Sequence, residues 1–265
     1  MVITKKQGTL EYLTAEGITA PHAFTTRLGG VSTGALESMN LAIKLDETDE
    51  NVTRNFEILG DALGFCISDL VLTRQTHSDI VRVVGRRDCN GCLHRDYPEC
   101  DALVTNDPGV ALTVFTADCT PLLLHDPVTG AVGAAHAGWR GTVSAIAAKT
   151  AQAMCQEFGC KAEDICAAIG PNIGQCHFET DADVPDALVR AFGDAVLPFI
   201  RKSESKYYVN LKEVNALILR RAGVRHIEIS ADCTMCQPDR FWSHRATGGI
   251  RGSQGAVIVC KEASR

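Results

Sequence analysis

Ala111-Leu-Thr-Val-Phe-Thr-Ala-Asp-Cys-Thr-Pro-Leu-Leu-Leu-His-Asp-Pro-Val-Thr-Gly-Ala-Val-Gly-Ala-Ala-His-Ala-Gly-Trp-Arg-Gly141 is the stretch that sets the architecture. Its apolar runs 111–116, 121–125 and 131–136 are short and separated by turn-forming residues, so they predict three successive buried strands. Behind them Thr142–Phe158 predicts a helix, with Gly141 ahead of it and Gly159 where a left-handed C-cap belongs. His136 and Arg140 therefore lie on a strand-to-helix corner, with Arg140 just before a helix N-terminus.

Working outward, Glu50–Leu63 predicts a helix, and Leu70–Thr76 and Ile80–Val84 predict strands. Downstream, Ile165–Ile169 predicts a strand and Asp183–Phe192 a helix. Asn210–Ala222 predicts a second helix, with an Asn210/Glu213 capping pair and Gly223 at its end. Ile227–Ser230 and Ala256–Cys260 are closing strands. Gly85–Cys100 is polar, rich in turn residues and carries Cys89, Cys92 and Cys100, which marks it as an inserted loop. No linker-like composition and no 20- to 50-residue repeat interrupts the chain, so residues 1–265 are expected to form a single domain of mixed α/β or α+β class.

With 45% hydrophobic and 22% charged residues, the composition is that of a soluble globular protein. Residues 1–12 lack a signal-peptide apolar run and nowhere do 18 apolar residues follow one another, so a cytoplasmic protein with no membrane association is expected. Twelve cysteines in a chain of 265 residues point to reduced thiols, since disulfide frameworks belong to short secreted chains. A formal net charge of −6 argues against nucleic-acid binding, which is built from clustered Lys and Arg. Local arginines can still hold a small anion.

His77, Cys119 and His136 are candidate metal ligands. They sit in Thr73-Arg-Gln-Thr-His-Ser-Asp79, Thr116-Ala-Asp-Cys-Thr-Pro121 and Ala134-Ala-His-Ala-Gly-Trp-Arg-Gly141, at the ends of apolar runs where strands meet loops. Two imidazoles and a thiolate are three of the four ligands zinc prefers, and a three-ligand site leaves one position open for water or substrate. Singly, each is as well explained by ordinary packing. Cys119 with His136 as base also satisfies the residue types of a covalent cysteine hydrolase, and a noncatalytic zinc-dependent interaction module is a third reading.

Arg27, Arg140 and Arg245 each occur among Gly, Ser and Thr, a setting suited to phosphate because the guanidinium fork and close backbone N–H groups both donate to an anion. Surface salt bridges are the plainer reading of Arg27 and Arg245, whereas Arg140 gains from the helix N-terminus beside it. Asp118, next to Cys119, is a candidate proton shuttle by proximity. Cys89/Cys92 and Cys233/Cys236 are C-x-x-C pairs that could bind a structural zinc together, but their separation is far outside zinc-finger spacing.

At these residues the chain resembles the YfiH/YlmD family, also called the laccase-domain or multicopper polyphenol oxidase family and now regarded as purine nucleoside phosphorylases. The resemblance spans nearly the whole chain: Leu28-Gly-Gly-Val-Ser32, Met39-Asn-Leu-Ala42, Gln75-Thr-His77, Asp101-Ala-Leu-Val-Thr105, Thr116-Ala-Asp-Cys119, His136-Ala-Gly-Trp-Arg-Gly141, Gly170-Pro171 and Phe241-Trp-Ser-His-Arg245. It implies a layered α/β sandwich, a monomer, and a catalytic Zn2+ on His77, Cys119 and His136. It further implies phosphorolysis of adenosine, inosine, guanosine and methylthioadenosine, with adenosine deamination besides. Cys119, Asp118 and Arg140 are then the expected catalytic residues, and Arg27, Asn40, Gln75, Arg140 and Arg245 the expected contacts to purine nucleosides and phosphate. The chain departs from the family pattern near His177, at Met235 and in the cysteine-bearing insertion, which bears on substrate preference more than on reaction class. Eight histidines with no His-x-His pair do not make the four-copper cluster that the older family name suggests.

Overall fold

The structure is a computed structural model that describes residues 1–43, 47–94 and 96–261. The chain opens with β1 (Val2–Gln7), β2 (Leu10–Ala15) and β3 (His22–Thr25), continues through helix α1 (Asp49–Leu63), and then forms β4 (Leu70–Leu72), β5 (Val81–Val83) and β6 (Ala102–Thr105). The central stretch yields β7 (Ala111–Thr116), β8 (Thr120–His125) and β9 (Val132–Ala137), followed by α2 (Trp139–Val143) and α3 (Ile146–Phe158). The remainder adds β10 (Cys166–Ile169), β11 (Glu179–Thr180), α4 (Asp183–Phe192), β12 (Ile200–Ser203), β13 (Lys206–Val209), α5 (Leu211–Arg221), β14 (His226–Ile229), α6 (His244–Thr247) and β15 (Gln254–Val259).

Two six-stranded sheets carry the fold, one in the order β1-β2-β3-β15-β7-β4 and the other in the order β14-β10-β8-β9-β6-β5, with a small sheet β11-β13-β12 at the side. Alternation along the central strands puts every face to use. Leu112 and Val114 of β7, Leu123 of β8, and Val132 and Ala134 of β9 form the core between the sheets. Leu122, Leu124, Ala135 and Ala137 point the other way, onto Ile146, Ala147 and Met154 of α3 and Leu211 and Leu219 of α5. On the outer face of the first sheet, Val52, Phe56 and Leu59 of α1 cover Leu70, Ala111 and Val257. The layers thus run helix, sheet, sheet, helices, as a layered α/β sandwich requires. Burying a side chain such as Phe56 contributes about 1.5–3 kcal/mol, and the near-continuous apolar runs follow from strands covered on both faces.

Helix ends follow the local chemistry. Thr48 accepts from the Asn51 N–H at the start of α1 and Gly64 closes it in the left-handed region; Asn210 accepts from the Glu213 N–H at the start of α5. β1, β2, β3, β6, β11, β12 and β13 lie where no strand was expected, and two of the expected elements differ in their bounds. The strand expected over Leu70–Thr76 ends at Leu72, because the Gln75 side chain takes over the pairing: its amide donates to Phe115 O at 2.7 Å and accepts from Phe115 N at 2.7 Å. The helix expected over Thr142–Phe158 is two helices, broken at Ala145 with φ of 58°. Arg140 consequently lies inside α2, whose N-cap is Gly138, rather than ahead of a helix.

Candidate active site

The three candidate ligands converge where the two sheets exchange strands. β7 belongs to the first sheet and β8 to the second, and the crossing between them spans Ala117, Asp118 and Cys119. So abrupt a turn puts Asp118 at φ of 88°, a left-handed conformation that costs a non-glycine residue on the order of 1–3 kcal/mol and recurs at functional sites. Asp118 is held there by Thr234 Oγ1, which donates to Oδ1 at 2.6 Å, and by the Arg245 N–H, which donates to Oδ2 at 2.7 Å. With both oxygens so engaged, Asp118 braces the turn that presents Cys119.

His136 stands in β9, opposite Pro121 in the register with β8. His77 enters from the turn after β4, also in the left-handed region at φ of 60°. The three ligand atoms lie within 4.8 Å of one another: Cys119 Sγ is 3.9 Å from His77 Nε2, and the two imidazoles meet edge to face with centroids 5.0 Å apart. Ligands around a tetrahedral zinc ion stand roughly 3.5–3.8 Å apart, by its usual bond lengths, so the set fits a metal of that size and softness. His136 is buried and His77 exposed, which leaves the fourth side facing solvent. Gly138 is required beside this trio, because a Cβ there would stand 2.8 Å from His77 Cδ2 and 3.3 Å from Cys119 Sγ.

Asp101, absent from the sequence-derived site, organises it. Its fully buried carboxylate accepts from His136 Nδ1 at 2.7 Å, from the N–H groups of Thr76, His77 and Ser78, and from Ser78 Oγ at 2.7 Å. It thereby fixes the tautomer of His136, turning Nε2 toward the site, and pins the His77 turn; this is the carboxylate–histidine arrangement found behind metal ligands. Burial works to raise the Asp101 pKa, but the hydrogen bonds from His136 and Ser78 hold it at about 2. Burial likewise opposes charge on Cys119 and His136, yet each stabilises the other, keeping the thiol down at about 6 and, with Asp101, the imidazole up at about 9. A metal ion bound there would displace the proton of His136, since imidazole must be neutral to act as a ligand.

The trio opens on a cleft of about 250 Å³ lined by Gln75, Phe115, Thr116, Arg251 and Ser253. Beside it, sharing Ala42, Thr73 and Phe115, is a compartment of about 200 Å³ closed by Cys92, His94 and Tyr97 of the inserted loop. Among the described residues Arg251 is the arginine that lines the cleft, fixed by Nη1 donating to Gly252 O at 3.0 Å and to Ser253 Oγ at 2.8 Å. Burial lowers its pKa while the nearby Asp118 and Cys119 charges favour the guanidinium. The arginines singled out in the sequence stand elsewhere. Arg27 donates to Glu37 O and Pro238 O and lies over the Trp242 ring; Arg245 donates to His177 O and Glu179 O; Arg140 is exposed and stacks on Trp139. Asn40 is buried and spends its amide on Ala42, Glu47 and Ser253, while Gln75 reaches the cleft wall with its amide bound to Phe115. Nothing in the local sequence Gly249-Ile-Arg-Gly252 distinguishes Arg251 from an ordinary loop arginine.

The profile of the multi-copper polyphenol oxidoreductase laccase family matches residues 21–261. The chain belongs to this family. It is similar to a purine nucleoside phosphorylase of Deinococcus radiodurans, 40% identical over 252 residues that cover 94% of this chain and 92% of the relative. It is also similar to adenosine deaminase RL5 from an unknown prokaryotic organism, 35% identical over 243 residues that cover 88% of this chain and 92% of RL5. Among solved structures, YlmD from Geobacillus stearothermophilus superposes with a TM-score of 0.92 at 32% identity, covering 99% of this chain and 100% of that one. Among the described residues, His77 and His136 share one potential metal group and His177 stands in another. No helix among the described residues is long and apolar enough to cross a membrane.

Proposed function

We propose that this protein is a zinc-dependent purine nucleoside phosphorylase that also deaminates adenosine. The observation that carries the reading is the His77–Cys119–His136 trio, locked by Asp101 and open on its fourth side to a cleft that, among the described residues, holds Arg251. Its relatives named as phosphorylase and deaminase support the reaction class. A zinc ion on two neutral imidazoles and one thiolate keeps a formal positive charge and supplies a Lewis acid for an oxygen of substrate or water.

The chain's own groups divide the remaining work. Arg251, backed by Ser253, holds phosphate in the cleft by charge-assisted hydrogen bonds. The purine of adenosine, inosine, guanosine or methylthioadenosine lies against Phe115 in the adjoining compartment, with Tyr97 and His94 as its far wall. A phosphate oxygen then forms the bond to the anomeric carbon as the bond to the base nitrogen breaks, and the base leaves with that electron pair and gains a proton. Holding both reactants in adjoining compartments removes the entropic cost of bringing them together.

The low-pKa Cys119 beside a charged His136 is also what a cysteine nucleophile needs, and one experiment separates the two readings. Inosine with phosphate is expected to give hypoxanthine and ribose 1-phosphate, and omission of phosphate to abolish base release while sparing adenosine deamination. Arg251→Met is expected to raise the KM for phosphate at least tenfold, the scale of a lost charged hydrogen bond, with little change for nucleoside. Equal base release without phosphate would make the protein a hydrolase; absence of nucleoside turnover with ester cleavage blocked by thiol alkylation would make Cys119 the nucleophile.

A further inference from the structure

Cys176, His177, Cys233 and Cys236 come together on the far side of the Asp118 turn. Their ligand atoms all lie within 4.8 Å of one another. His177 Nδ1 is 3.2 Å from Cys176 Sγ, 3.3 Å from Cys236 Sγ and 3.8 Å from Cys233 Sγ, and the sulfurs of Cys176 and Cys236 are 3.5 Å apart. Those separations, from 3.2 to 3.8 Å, lie within a few tenths of an ångström of the edges of a tetrahedron around zinc, roughly 3.5–3.8 Å for sulfur and nitrogen ligands. The C-x-x-C pair at Cys233 therefore finds its partners in the adjacent Cys176 and His177, whereas Cys89, Cys92 and Cys100 of the inserted loop are packed into the hydrophobic cores.

We propose that these four side chains form a second, structural zinc site of Cys3His type, closed to substrate and distinct from the open trio. Its surroundings suit a thiolate-rich centre. The Gly174 N–H donates to Cys233 Sγ at 3.1 Å, the sort of contact that orients a metal-bound thiolate. Three thiolates on a divalent ion leave a net negative charge, and buried Lys212, fixed by Ser230 O and Asp232 O, stands within electrostatic reach of Cys233 and Cys176.

The clip also explains how a distant loop steadies the candidate active site. Cys233 pairs with Asn172 as an isolated bridge, Asn172 Nδ2 donates to Thr120 Oγ1 at 2.8 Å, and Ile173 N donates to Asp118 O at 2.9 Å. Thr234, inside the C-x-x-C pair, holds the Asp118 carboxylate. Joining residues 176–177 to 233–236 thus ties both loops that grip the residues on either side of Cys119. The site stands on the geometry of these four residues and is independent of what is catalysed at the trio.

Metal counting on the full-length protein tests it. Purified under reductant, the wild type is expected to hold about two zinc equivalents, Cys119→Ala about one, and Cys176→Ser/Cys236→Ser about one. Metal-free Cys119→Ala, whose trio lacks its sulfur, is expected to bind cobalt(II) with the sulfur-to-metal charge-transfer band of a three-thiolate site, and to lose that band when Cys176→Ser/Cys236→Ser is added. Wild-type zinc content in the double variant, failure of reduced Cys119→Ala to take up cobalt, or a Cys176–Cys236 disulfide in place of metal would each overturn the proposal. The cobalt spectrum reads the site in a chain that keeps all four ligands, so it stands even where the serine variants fold poorly.

Discussion

At the scale of single residues, the buried carboxylate of Asp101 decides more than any ligand does. It orients His136 and holds the backbone that carries His77, so Asp101→Asn is expected to weaken zinc binding at the trio about 10–100-fold, the usual effect of losing such a partner; competition with a chromophoric chelator measures it. Because its pKa is depressed to about 2 in the folded protein, below an unfolded value near 4, its contribution to stability is complete above that unfolded value and is lost as pH falls through about 2. Urea midpoints of the metal-free protein between pH 6 and 3 are expected to fall less steeply in Asp101→Asn than in wild type. Gly138→Ala is expected to lose the trio's metal while keeping the fold, since the added carbon meets His77 and Cys119; retained metal and activity would refute the crowding. His77, Cys119 and His136 could be singled out because the residues flanking each are distinctive. Asp101 was visible only as part of a motif, since its partner His136 lies 35 positions away, and Arg251 not at all, since sequence does not reveal which arginine a fold turns into a cleft.

At the scale of elements, the central and closing strands and the helix caps were legible, whereas β1, β2, β3, β6, β11, β12, β13 and the break between α2 and α3 were not. The apolar runs at 111–116, 121–125 and 131–136 are long enough for a strand and too short for a buried helix, and Asn210 and Gly64 announce helix ends by their chemistry. Thr142-Val-Ser-Ala-Ile146 contains neither glycine nor proline, so nothing local stops a helix there. Packing stops it instead: Ile146 and Ala147 are buried in the core shared with α5, while Thr142 Oγ1 accepts from Asn215 of α5 at 3.0 Å. Ala145 pays the strain, so Ala145→Gly is expected to leave stability unchanged or raise it by up to about 1 kcal/mol. In a continuous helix the same change would cost about 1 kcal/mol, and urea unfolding distinguishes the two. Asn210→Ala is expected to cost about 1 kcal/mol through the lost cap.

At the scale of the molecule, two sheets share one core and the site forms where the chain crosses between them. His77, Asp101, Cys119 and His136 come from four separate segments, at or beside the ends of β4, β6, β8 and β9, so the trio exists only when the sandwich is assembled. Metal bound to the folded state alone must then stabilise it by mass action, and the layered architecture was foreseeable because covered strands and amphipathic helices alternate along the chain. The identity of the reaction rests on what the cleft holds. The most direct measurement is the product ratio from inosine with zinc-loaded protein. Equimolar hypoxanthine and ribose 1-phosphate, formed only when phosphate is present and lost in Cys119→Ala, is the expected result; base release that proceeds equally without phosphate, or undiminished in Cys119→Ala, would contradict it.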